Sequence, residues 1–179
     1  MSRPWFKTKK ILEDELLCDS LKGRVSYFCT RYHGAPDHYG RFCVRVDGKE
    51  YVMANPYNEK YVDQEECRIK EEENIPPREW DEHGCFLHEE ENLDAENRAR
   101  KIAMTNNTME EFQPLWAIED FLNQDIAVSL HSDNEFIRLL AVLDRRTGKR
   151  TLADLKNKLD EQPEWLRFFY ELRLNAENI

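Results

Sequence analysis

The pair Asp47-Gly48, set between GRFCVRV and KEYVMA, constrains the fold of this chain more than any other feature. A two-residue hairpin turn needs positive φ at both central positions, and Asp and Gly tolerate that backbone better than most residues. Upstream, Phe42, Val44 and Val46 alternate with Cys43 and Arg45, which is the period of a strand with one face toward a core. EYVMA supplies the return strand. Earlier still, RVSYFCTRYH (residues 24–33) is rich in β-branched and aromatic types, with Val25, Tyr27, Cys29 and Arg31 on one face and Ser26, Phe28, Thr30 and Tyr32 on the other. With HGAPDHYG as the loop between them, the three runs predict an antiparallel meander.

Helices flank it. Trp5, Leu12 and Leu16 fall at i, i+7 and i+11 with Ile11 beside them, a stripe on an N-terminal helix that Gly23 is expected to end. Residues 57–73 read as a charged helix ending before Ile75-Pro76-Pro77, residues 74–88 as an irregular loop, and HEEENLDAENRARKIAM as a second polar helix. In the last third, Thr108-Met109-Glu110-Glu111 and Ser132-Asp133-Asn134-Glu135 have capping-box spacing. Pro114 calls for a kink or a new start, Thr147-Gly148 for a break, and Thr151 for the cap of a further helix carrying Leu152, Leu155 and Leu159. Pro163 suits the first turn of the last helix, whose Leu166, Phe169 and Tyr170 face inward. The expected class is α+β: a small antiparallel β-meander with an N-terminal helix, followed by a C-terminal helical bundle. One domain is expected over residues 1–179. It divides into helix and meander (1–56), acidic helices and loop (57–106) and a helical subdomain (107–179).

Charge is unevenly placed. The chain carries 36 Asp and Glu against 26 Lys and Arg, a net charge of -10. Residues 59–96 hold 15 of those acids and only four bases, while the remainder has 22 bases and 21 acids. Such a balance disfavours general nucleic-acid binding, which needs a concentrated basic surface. No apolar run is long enough to span a bilayer, and acids interrupt the opening MSRPWFKTKKILEDELLCDS, so neither a membrane segment nor a secretory leader is expected. Five cysteines without framework spacing read as reduced thiols in a cytoplasm.

Three constellations bear on chemistry. His83, Cys85 and His88, with Cys67 upstream, carry zinc-type donors, but their spacing follows no standard pattern and no metal or other cofactor is expected. The triplets Glu71-Glu72-Glu73 and Glu89-Glu90-Glu91 read as solvated helix faces, because consecutive helical residues point in different directions. Arg145, Arg146, Lys149 and Arg150, around Thr147-Gly148, form the one concentrated basic patch and the candidate partner-binding residues. The opposing reading is that cations there complement a helix dipole and that one Arg pairs with Asp144 or with the acidic segment. His33 and His38 lie near Asp37 in the first loop, a common arrangement. No G-x-S-x-G, P-loop, G-x-G-x-x-G or H-E-x-x-H occurs, so no catalytic residue is assigned.

The stretches LEDELLCDSLKGRVSYFCTRY, GRFCVRVDGKE and NEFIRLLAVLDRRTGKRTLADL resemble a family of uncharacterised small bacterial proteins. The resemblance covers the N-terminal third and the C-terminal quarter. It implies a bacterial cytoplasmic origin and a mixed fold, and it carries over no site residue. The expected function is a protein-interaction or regulatory module with a protein partner, with toxin neutralisation by the acidic segment as one form. The alternative is a metal-assisted enzyme.

Overall fold

The computed structural model describes residues 4–31 and 40–179. Helix α1 (Trp5–Lys10) runs without a break into a wider, π-type turn over Ile11–Leu16. The helix stops there and not at Gly23, because Leu17 turns to extended backbone and bridges to Asp144. Gly23, at φ +79°, instead shapes the turn into the sheet.

Strands β1 (Val25–Arg31), β2 (Gly40–Val46) and β3 (Lys49–Ala54) pair antiparallel in the order β1-β2-β3. Asp47 and Gly48 take φ of 50° and 82°, the turn their identities predict. Arg24 clamps it with a bidentate pair to the Asp47 carboxylate. On the inner face Tyr27, Phe42, Val44, Val46, Val52 and Ala54 are all buried. Val44 faces Val52 while Arg45 faces Glu50, so β3 holds one extra residue, Tyr51. Its ring stacks on Phe168, 4.1 Å away.

Two helices follow, α2 (Glu59–Glu73) and α3 (Glu89–Thr105). The segment between them is not irregular throughout: Glu79–Trp80 (β4) pairs with Phe86–Leu87 (β5) as a small hairpin. The remaining helices are α4 (Phe112–Leu122), α5 (Ile126–Leu130), α6 (Glu135–Leu143), α7 (Lys149–Lys156) and α8 (Glu164–Glu177). The molecule is thus α+β, a meander with an N-terminal helix and a C-terminal set of helices. Every residue of α6 except Arg138 is buried. Phe136 of α6 meets Phe42 of β2 edge-on at 5.5 Å, and Trp5 meets the same ring at 5.8 Å, joining sheet, bundle and N-terminal helix.

Helix ends depart from the capping-box expectation. Thr108 donates back to the carbonyls of Ala103 and Asn106, so it finishes α3 and does not start α4, whose first turn contains Pro114. The cap of α6 is Asn134, whose Oδ1 accepts from the amides of Phe136 and Ile137, while Ser132 supports Asn134 itself. Thr151 lies inside α7, which follows Gly148 directly. These assignments differ in consequence. Asn134→Ala should lower the free energy of unfolding by about 1 kcal/mol, and Ser132→Ala by about half of that or less, in urea titrations followed by circular dichroism. Equal losses would return the cap to Ser132.

Candidate functional site

Helices α2 and α3 pack on each other through a seam of their own. Val62 and Ile69 meet Ala95, Ala99 and Ala103, with Tyr61, Ile75 and Ile102 around them, as a cluster separate from the main core. The three alanines recur every four residues, and their short side chains let α2 approach closely. This seam is small, and ion pairs supplement it: Arg98 to Glu73 and Asp94, Arg78 to Glu96, and Arg100 to Glu96 and Glu110. Arg98 holds the Glu73 carboxyl below its ordinary range. For Glu96, burial alone would raise the pKa, but Arg78 and Arg100 together hold it lowered.

The far end is built differently. Asn74, in left-handed backbone, ends α2, and buried Asn92 donates to the carbonyls of Pro76 and His88, holding both roots of the β4–β5 hairpin. In its turn Asp81 Oδ1 accepts from the amides of His83 and Cys85 at 2.8 Å each, and Gly84 supplies a φ of +76°. The strands place Trp80 opposite Phe86, and the two rings overlap with centroids 3.9 Å apart. Trp80 is nevertheless 66% exposed, Phe86 40% and Leu87 42%. Glu79, Asp81 and Glu82 flank Trp80 along the chain and Glu89, Glu90 and Glu91 open α3 just after β5, and among the described residues none of them pairs with Lys or Arg. The arrangement is a tilted aromatic pair, its planes 33° apart, in a segment whose carboxylates have no Lys or Arg partner among the described residues.

The candidate metal ligands do not converge. His83 and Cys85 sit exposed in the hairpin turn, His88 leads into α3 in left-handed backbone, and Cys67 is exposed on α2. Among the described residues no group of three or more His, Cys, Asp or Glu side chains is placed to hold a metal ion. His33, Asp37 and His38 lie outside the described residues.

The basic patch does form one turn, and half of it serves that turn. The Asp144 carboxylate, fully buried, accepts from the Arg146 amide at 2.7 Å and from its guanidinium at 2.8–3.1 Å. Hydrogen bonding to Asp144 raises the Arg146 pKa, and that guanidinium lies 5.7 Å from the Phe121 ring. Thr147 Oγ1 donates to Ala141 O, and Arg173 donates to Thr147 O. Lys149 reaches the Glu177 carbonyl. Arg145 and Arg150 are exposed, and among the described residues neither has an ion pair.

Sequence reasoning placed chemistry at the basic turn and in the acidic segment as a whole, and missed the aromatic tip. The signal was Trp80 and Phe86 flanking a turn-prone Asp81-Glu82-His83-Gly84, but two-residue strands are too short to show alternation.

The model of the SF0329 protein family matches residues 4–174, and the chain belongs to that family. No curated protein and no solved structure matches it. Among the described residues no helix is long and apolar enough to cross a membrane.

Two outcomes follow from this geometry. Asp144→Ala should destabilise the protein by about 2 kcal/mol, whereas Arg145→Ala and Arg150→Ala should each stay within about 0.5 kcal/mol. Equal losses at all three positions would mean that Arg145 and Arg150 are structural. The second outcome concerns pH. Glu73 and Glu96 have depressed folded-state pKa values, so their contribution is complete above the ordinary value of 4.5 and is lost as pH falls through the lowered ones. Amides of α2 and α3 should therefore lose exchange protection before those of α6 as pH drops from about 5 toward about 2. Simultaneous loss would contradict this.

Proposed function

We propose that this member of the SF0329 family is a protein-interaction module whose recognition element is the acidic helical hairpin, with the Trp80–Phe86 tip as its anchor. One observation carries the reading: two solvent-exposed rings in close, tilted contact lie in a segment whose carboxylates no Lys or Arg of the described residues neutralises. Exposed aromatic surface of this kind gains free energy when a partner covers it, and Trp is the residue most often found as an energetic anchor of an interface. Those carboxylates speak to the partner's charge. Carboxylates near an apolar centre speed encounter with a cationic surface and penalise an anionic one.

The partner class is therefore a basic protein with an apolar cleft. One form of it is a nucleic-acid-directed toxin, against which the acidic hairpin presents charge in place of phosphate. Arg145 and Arg150 support a second, smaller contact region, since both are exposed and free of ion pairs among the described residues. Cysteines without framework spacing, with Cys67 and Cys85 exposed, support a reducing, cytoplasmic setting, and the family resemblance supports a bacterial one.

The test is capture of partners from source-cell lysate at low and high salt, using the wild type, Trp80→Ala/Phe86→Ala and Arg145→Glu/Arg150→Glu. We expect a stoichiometric basic protein that is lost at high salt and lost with the tip variant, and only weakened with the Arg variant. Recovery of the same proteins by the wild type and the tip variant would overturn the assignment.

A further inference from the structure

The outer face of the meander carries a second cluster, made of none of the hairpin's residues. Arg41, Cys43 and Arg45 alternate with the buried Phe42, Val44 and Val46, so they emerge on the opposite side of β2. Arg41 and Arg45 converge on one carboxylate. Arg41 gives two bonds to Glu50, at 2.8 and 3.2 Å, and Arg45 gives two more, at 2.8 and 3.3 Å. Both guanidiniums also lie over a single ring, Phe28, at 4.4 Å for Arg45 and 5.5 Å for Arg41. In register, Ser26 faces Arg45 and Thr30 faces Arg41, so a half-buried hydroxyl stands across the ladder from each cation.

Three features of this cluster point to a ligand. Among the described residues two cations share one anion, leaving a local excess of positive charge in a chain whose net charge is -10. Each guanidinium carries five N–H groups, so among the described residues four bonds to Glu50 and one of Arg45 with Cys43 leave donors unspent on both. Those donors are not sealed off, since the Arg41 and Arg45 side chains are 34% and 32% exposed. Cys43 contributes no chemistry: it is wholly covered, and burial followed by the nearby Glu50 pushes its thiol up.

We infer that Arg41 and Arg45, with Ser26 and Thr30, bind a small phosphate-type dianion over Phe28, with Glu50 holding the two guanidiniums in place until the ligand arrives. A dianion matches two forked donors better than a monoanion does, and bidentate pairing is the geometry in which Arg recognises phosphate. The acidity of the whole chain restricts the ligand to a small one, because an extended polyanion would meet repulsion beyond the cluster.

The experiment titrates inorganic phosphate and, separately, phenyl phosphate, at constant ionic strength, and follows the Nε–Hε signals of Arg41 and Arg45 by NMR. We expect saturable shifts at both signals. Arg45→Met should weaken binding about tenfold or more, and Arg45→Lys should fall between it and the wild type, since it keeps the charge but not the fork. Glu50→Gln, which removes the competing anion, should tighten binding several-fold. Tighter binding of phenyl phosphate assigns the ester as ligand class, and tighter binding of inorganic phosphate assigns the free ion. Shifts that do not saturate, an affinity unchanged in Arg45→Met, or weaker binding in Glu50→Gln would each overturn the inference.

Discussion

Helix α6 is enclosed on almost every side, and that enclosure sets the positions of the other elements. Eight of its nine residues are buried, including Glu135 at its start. A helix apolar all round is stable only when neighbours cover it completely. Here α4, α5 and α8 supply that cover, with Phe42 of the sheet reaching Phe136. Its two ends are held by polar contacts: Asn134 caps the first turn, and Thr147 donates back to Ala141 beyond the last. The turn after α6 also ties down the N-terminal segment, because Cys18 donates to Leu143 O and Arg145 to Leu16 O. The arginine-rich sequence at 145–150 is thus partly explained by folding, through Asp144 and its bonds to Arg146.

The acidic hairpin obeys a different balance. Its seam joins two sparse stripes of small and aliphatic residues, so ion pairs and the Asn92 clasp supply order that the core supplies elsewhere. Arginines concentrate their pairing along the helices, and among the described residues the carboxylates of the hairpin turn are left without Lys or Arg partners. Some of these carboxylates serve the fold, Asp81 in the turn and Glu89, Glu90 and Glu91 at the start of α3, yet none of them is paired with Lys or Arg among the described residues.

Much of the fold was legible in the sequence because local and global signals agreed. Alternation in β2, the Asp47-Gly48 turn and the stripe of α8 each depend on residues close in sequence, and burial follows them. The caps were misplaced where two hydrogen-bonding residues competed within three positions, as with Ser132 and Asn134, and only the backbone decides between them. Thr108 fits a start as well as an end, and its hydroxyl turned back to Ala103. The sites were less legible for a related reason. Both clusters depend on juxtaposition across strands: Trp80 with Phe86 over a turn, and Arg41 with Arg45, Glu50 and Phe28 over three strands. Spacing along the chain does not reveal which of these residues share a ligand.

The central claim is that the Trp80–Phe86 tip exists for a partner and not for the fold. Replacing residues 79–87 with a flexible Gly-Ser linker tests it most directly, through thermal unfolding and partner binding measured on one preparation. The account predicts a melting temperature within about 2 °C of the wild type, since the replaced strands lie outside both apolar clusters, together with loss of the salt-sensitive partner. A large fall in melting temperature, or a partner still bound at wild-type strength, would contradict it.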